Sequence, residues 1–136
     1  MRFWAFSFLP FLFHKTSKKS PNKNLPVSVI VYAKNEAYNL SKLIPLLQQQ
    51  KYEIYEMVLI NDASNDETLE EMKKFEKNDS RIKIVNVKNN EAFWGNRKYA
   101  LTLGIKSAKY EQLLFTDANC MPSSREWIKE MSLLFS

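Results

Sequence analysis

From Pro26 onward the chain alternates between two hydrophobic periods. "PVSVIVYA" (Pro26 to Ala33) is a short β-branched run, and Leu40, Leu43, Ile44 and Leu47 then recur at i, i+3, i+4 and i+7. A strand followed by a helix is predicted, with Pro45 expected to kink or end the helix early because it has no N–H to donate. "IYEMVLI" (Ile54 to Ile60) predicts a second strand. Leu69, Met72 and Phe75 mark a helix starting near "SNDE", where Ser64, Asn65 or Asp66 would cap it. "IKIVNV" reads as a third strand, Ala100, Leu101, Gly104 and Ile105 as a helix after the loop "KNNEAFWGN", and "QLLFT" as a fourth strand. Trp127, Met131 and Leu134 repeat at i, i+4 and i+7 and are expected in the core. Strands alternating with helices imply right-handed crossovers and an α/β fold, a mostly parallel sheet flanked by helices.

The first 25 residues follow a different pattern. Phe3 to Phe13 is an apolar, aromatic-rich run, followed by Lys15, Lys18, Lys19 and Lys23 among Ser, Pro and Asn. As a helix the run would reach roughly 16 Å against a hydrocarbon core of about 30 Å, and Pro10 interrupts it. It is too short to cross a bilayer alone, and it lacks the cleavage site of a signal peptide. Aromatics ahead of lysines suit an interfacial anchor or the remnant of a longer membrane helix, which predicts a location at the cytoplasmic face of a membrane or in the cytoplasm. Two segments are therefore expected: 1–25 as this apolar and basic stretch, and 26–136 as one globular domain.

Charge changes the picture little. The net charge of +5 comes entirely from Arg2 and the four tail lysines, leaving 15 basic and 15 acidic residues from residue 27 onward. A neutral body gives no footprint for nucleic acid. One cysteine, Cys120, excludes an internal disulfide and suits a reducing compartment, and with His14 the sole histidine, zinc sites and histidine triads are close to excluded. With only Gly95 and Gly104 in the sequence, neither GxGxxG nor GxxxxGK[ST] is present, which argues against dinucleotide-fingerprint and P-loop sites.

In open α/β sheets ligands bind at the carboxyl ends of the strands. Here those ends carry "KNE" (Lys34 to Glu36), "NDASND" (Asn61 to Asp66) and "DAN" (Asp117 to Asn119), with "WGNRK" (Trp94 to Lys98) ahead of a helix. Acids beside adjacent cations are workable for a nucleoside diphosphate and a bridging metal. Four stretches, "PVSVIVYAKNEAYNLSKLIPLL", "MVLINDASNDET", "RKYALTLGI" and "LLFTDANCMPSSREWI", together resemble, in order and spacing, the nucleotide-sugar-binding half of family 2 glycosyltransferases. The resemblance runs from Pro26 to the end and implies the N-terminal half of a GT-A, nucleotide-diphospho-sugar transferase-like, fold.

It also implies roles. Tyr32, Ala33, Lys34 and Glu36 would line the nucleotide pocket, Asp62 would accept hydrogen bonds from base or ribose, and Arg97 or Lys98 would meet the diphosphate. Asp117 and Asn119 stand at the first and last places of the family's DxD motif, which holds Mg²⁺ or Mn²⁺ against the phosphates. Asn119 offers a carbonyl oxygen but no charge, so metal binding is expected to be weakened rather than abolished. The implied partners are a nucleotide-sugar donor and a glycan or lipid-linked acceptor. The family's catalytic base lies well beyond the DxD segment, so no catalytic residue is assigned, and the chain is expected to be a fragment lacking the acceptor half. The alternative function is a non-catalytic nucleotide-binding or interaction module. Local roles compete at each position: Asp117 and Asp62 as turn residues, Glu36 as a charge at a helix N-terminus, Arg97 and Lys98 as a solvated helix face, and Trp94 as a loop anchor.

Overall fold

The computed structural model describes residues 11–14, 25–88 and 97–135. The chain runs β1 (Phe11–His14), β2 (Val27–Ala33), α1 (Ala37–Gln48), β3 (Tyr55–Asp62), α2 (Thr68–Asn78), β4 (Ile82–Val87), α3 (Arg97–Ser107), β5 (Gln112–Asp117) and α4 (Trp127–Ser132), then a 3-10 turn over Leu133–Phe135. The sheet order is β1-β5-β2-β3-β4. Strands β5, β2, β3 and β4 are parallel to their neighbours, and β1 pairs antiparallel with β5, Phe11 opposite Phe115. This is the α/β architecture expected. Four residues from the 1–25 segment join the sheet as its edge, whereas Phe3 to Pro10 and the lysine cluster lie outside the described residues. No helix among the described residues is long and apolar enough to cross a membrane.

Period-two alternation divides the strand side chains between two layers. Val29, Val31, Met57, Leu59 and Leu114 pack with α1, α2 and α4 on one face, around Leu40, Leu43, Ile44, Leu47, Met72, Trp127 and Ile128. Ile30, Val58, Ile60, Leu113 and Phe115 pack with Ala100 of α3 on the other. Each large side chain so enclosed contributes about 1.5–3 kcal/mol. Helix α1 continues through Pro45 to Gln48 instead of ending there, because Leu47, two residues beyond the proline, is fully buried and holds the last turn against the sheet. Leu134, by contrast, is 68% exposed. The tightening from α4 into a 3-10 turn breaks the period that carried Trp127 into the core, so the expected third core position is lost.

At the amino ends of the central strands a buried polar knot fixes the register. The Ser28 hydroxyl donates to Glu56 Oε2 at 2.6 Å, the Lys109 amide donates to the same oxygen at 2.5 Å, and the Tyr110 amide donates to Ser28 Oγ at 3.1 Å. These bonds tie the turn before β5 to β2 and β3. Above them, α3 lies close on the sheet only because residue 104 is glycine. A Cβ there would stand 2.5 Å from Ile60 Cδ1 and 3.1 Å from Ile30 Cγ2. Gly104→Val is therefore expected to lower unfolding stability by about 2 kcal/mol or more, overpacking outweighing the helix propensity gained. A urea midpoint equal to that of the native chain would show that α3 does not rest on the sheet at this point.

Candidate functional site

Strand β2 is central: the chain steps from it to β3 and β4 on one side, and β5 inserts on the other. The carboxyl ends of β2, β3 and β5 therefore surround a point where strand order reverses. The last side chains of these strands share a face. Tyr32 follows Ile30, Asp62 follows Ile60 and Asp117 follows Phe115, each two residues on, so all three fall on the α3 side of the sheet. Arg97, the first described residue of α3, meets them there.

The four side chains form one chain of contacts. The Tyr32 hydroxyl donates to Asp62 Oδ2 at 2.5 Å. The Arg97 guanidinium lies 4.4 Å from the centre of the Tyr32 ring and pairs through Nη2 with Asp117 Oδ1. Asp62 is only 5% exposed, while the Arg97 side chain is 46% exposed, so the acid is held inside and the cation faces outward. The Ala118 amide donates to the Tyr32 carbonyl at 2.9 Å and the Cys120 amide to the Asp117 carbonyl at 3.0 Å, which turns the chain sharply after β5. Burial first, then the hydrogen bond to Asp62 and its charge, push the Tyr32 phenol well above its ordinary value of 10.0, with Arg97 opposing. Burial and the Asp117 charge also push the Cys120 thiol up, leaving it a poor nucleophile.

The loops after β2 and β3 are stitched to each other. The Asn35 amide donates to Ser64 Oγ at 2.9 Å, the Asn65 amide to Asn35 Oδ1 at 2.7 Å, and the Glu36 amide to Thr68 Oγ1 at 2.9 Å. Asn35 and Ala63 both have positive φ, 56° and 51°. Asparagine tolerates that region; alanine does so at a cost of about 1 kcal/mol or more, which the cross-links sustain. Asp66 Oδ1 accepts from the Thr68 amide at 2.9 Å and from the Thr68 hydroxyl, so of the three residues expected to cap α2 it is Asp66 that binds its first turn. Burial acts to raise the Asp66 carboxyl, and the Thr68 and Ala37 hydrogen bonds outweigh it, holding the group below the usual range.

Of the residues singled out in the sequence, Tyr32, Asp62, Arg97 and Asp117 come together. Ala33 ends β2 beside them, buried. Lys34 and Lys98 are exposed, and Glu36 Oε1 accepts from Asn39 Nδ2 at 2.6 Å, the local role open to it at the start of α1. Trp94 lies outside the described residues. Asn119 is exposed in the turn, its Oδ1 3.7 Å from Cys120 Sγ. Asn35, Ser64 and Thr68 were not singled out as site residues. The asparagine at a strand-to-helix junction was the available signal.

The donor atoms decide how well a hard cation fits. Mg²⁺ and Mn²⁺ take oxygen ligands and draw their charge from carboxylates and phosphates. Among the described residues no three of His, Cys, Asp and Glu gather as a metal site. Asp117 and Asn119 are oxygen donors, but the first already carries a guanidinium and the second is neutral. They match such a cation in kind and do not fit it in charge as a tightly held resident.

A parallel sheet with an acidic and basic cluster at its switch point is the arrangement at which open α/β proteins bind ligands. More specifically, the model of glycosyl transferase family 2 matches residues 28–135, and the chain belongs to that family. It is similar to an uncharacterized glycosyltransferase of Haemophilus influenzae, 36% identical over 110 residues covering 80% of this chain and 32% of that protein. A second relative is the 4,4'-diaponeurosporenoate glycosyltransferase of Staphylococcus haemolyticus, 31% identical over 102 residues, with 75% and 26% covered. The chain thus spans about a third or less of the length of these curated relatives. In structure it is similar to S. aureus TarS 1-349 in complex with UDP, with a TM-score of 0.67, 25% identity, and 79% and 31% covered. The mannosyltransferase PcManGT from Pyrobaculum calidifontis in complex with GDP-Man and Mn²⁺ also gives a TM-score of 0.67, at 24% identity with 77% and 30% covered, and shows the shared fold alone. The fold is GT-A, and the domain is that of a glycosyltransferase.

The raised Tyr32 phenol sets a pH dependence. Folded, it keeps its proton above the pH near 10.0 at which the unfolded phenol loses it, so the stability it contributes is complete below that pH and is lost as pH rises beyond it. Burial raises Tyr52 and Tyr55 in the same direction. Urea midpoints taken from about pH 8 to about pH 11 should fall for the native chain and fall less steeply for Tyr32→Phe. Identical alkaline slopes for the two would mean that Tyr32 is not held as described.

Proposed function

We propose that the carboxyl edge of this sheet binds the nucleoside diphosphate portion of a nucleotide-sugar donor, as the donor half of a glycosyl-transfer reaction. The observation that carries this reading is the convergence of Tyr32, Asp62, Arg97 and Asp117, from four elements, at the switch point of the sheet. Asp62, buried and with one oxygen engaged by Tyr32, is the acceptor for hydroxyl or N–H groups of ribose or base. Tyr32, Ala33, Lys34 and Glu36 form the wall along the β2 end, and Arg97 and Lys98 supply positive charge to the diphosphate. UDP and GDP are the nucleotides to test, since the structurally similar TarS is in complex with UDP and PcManGT with GDP-Man.

A cation would be held by Asp117 and Asn119, as Mg²⁺ or Mn²⁺, and its contribution in the native chain is small for the charge reasons given above. For the whole protein we propose a glycan or lipid-linked acceptor and association with the cytoplasmic face of a membrane through the aromatic and lysine-rich start. Sites on the acceptor side have no candidates among the described residues.

Calorimetric titration of the chain with UDP or GDP should give saturable binding for at least one nucleotide, and Asp62→Ala should weaken it about tenfold or more, the loss expected for a charged hydrogen-bonding group. Flat heats for both nucleotides would leave only the fold standing. Asn119→Asp returns a carboxylate to the last place of the motif, and Mn²⁺-dependent nucleotide affinity should then rise about tenfold over the native chain. Equal responses of the two chains to Mn²⁺ would show that residue 119 does not reach the cation.

A further inference from the structure

We infer that Arg97 is the built-in cation of the donor site, so that a nucleoside diphosphate binds this chain without a divalent metal; the inference rests on the donor reading above. The neutral residue at 119 and the guanidinium on Asp117 are two sides of one arrangement. In a two-acid site a divalent cation holds the acids and the diphosphate together. Here the first acid is paired with Arg97 and the second is an amide, so no second carboxylate remains to bind a metal once Arg97 is in place.

Arg97 is also shaped for the task. Guanidinium is planar, permanently charged and presents a fork of N–H donors that matches phosphate oxygens in pairs. Its Cζ lies 4.4 Å from the Tyr32 ring centre, and its Nη2 meets Asp117. These two contacts hold it in place, and 46% of the side chain stays exposed. Tyr32 is itself fixed, its hydroxyl donating at 2.5 Å to the buried Asp62. The same Asp62 is the proposed contact to base or ribose. Nucleoside and diphosphate would therefore be read by side chains locked to one another, with little left to order when the ligand arrives. Tyr32 acts as a positioning residue: it aligns the cation and the acid.

The metal also faces a local competitor. A divalent ion approaching Asp117 meets the like charge of the guanidinium already paired with Oδ1, whereas the diphosphate needs only to add to that guanidinium. The donor's charge is then met by Arg97 from the protein side.

The test is calorimetric titration of the 136-residue chain with GDP and with UDP, each in excess EDTA and each in excess Mn²⁺. The expected result is saturable binding in EDTA within about twofold of the affinity in Mn²⁺, a loss of about tenfold or more in both buffers for Arg97→Gln, and an intermediate affinity for Arg97→Lys, which keeps the charge but not the fork. Binding that appears only with Mn²⁺, or an Arg97→Gln chain that binds as well as the native one, overturns the inference and leaves the donor reading intact. No saturable binding in either buffer overturns both. Circular dichroism and urea midpoints check that each variant is folded. Should Arg97→Gln fail to fold, the buffer comparison on the native chain and Arg97→Lys decides the matter.

Discussion

The site depends on the parity of three neighbouring parallel strands. Tyr32, Asp62 and Asp117 meet because each sits two residues beyond a side chain packed under α3, namely Ile30, Ile60 and Phe115. A slip of one residue in any strand would turn its terminal group to the opposite face, among α1, α2 and α4. Register therefore decides whether the cluster forms at all. It is fixed at the far end by the knot of Ser28, Glu56, Lys109 and Tyr110, and along the sheet by the close approach of α3 over Gly104. That approach also delivers Arg97 to the cluster, since the helix that rests on Ile60 begins at the acid ends of the strands.

The two loops beside the cluster behave as one piece of structure. Hydrogen bonds from the Asn35, Glu36 and Asn65 amides to Ser64, Thr68 and Asn35 respectively join the β2-to-α1 and β3-to-α2 connections, and the positive φ of Ala63 lies inside that lattice. The Ala63 amide in turn donates to the Val87 carbonyl at 3.0 Å, extending the support to the end of β4. Strain of this kind is kept where surrounding contacts over-determine the backbone. Its consequence here is a rigid rim around Asp62, so that the acid's position is set before any ligand arrives.

Much of this was legible in the sequence. The β-branched runs gave the parallel strands almost to the residue, as in Ile82–Val87, and the helical repeat of Leu40, Leu43, Ile44 and Leu47 gave α1 and its buried stripe. The motif resemblance gave the family, and it named all four residues of the cluster. What the sequence did not carry was pairing across space. That Tyr32 reaches Asp62 and that Arg97, rather than Lys98, takes Asp117 depends on strand register and on the height of α3, which no local pattern states. Local rules also failed in two places. Burial of Leu47 carried α1 past Pro45, and the 3-10 turn took Leu134 out of its period.

The central claim is that a nucleoside diphosphate is held at the carboxyl ends of β2, β3 and β5 and the start of α3. Backbone amide correlation spectra recorded during a titration with GDP or UDP test it most directly, because they report location independently of affinity. The account predicts shifts concentrated at Tyr32 to Glu36, Asp62 to Ser64, Arg97 to Tyr99 and Asp117 to Cys120, with Ser28, Glu56 and Tyr110 at the opposite end unmoved. Shifts centred on that opposite end, or on the outer face of α1 and α2, would contradict it.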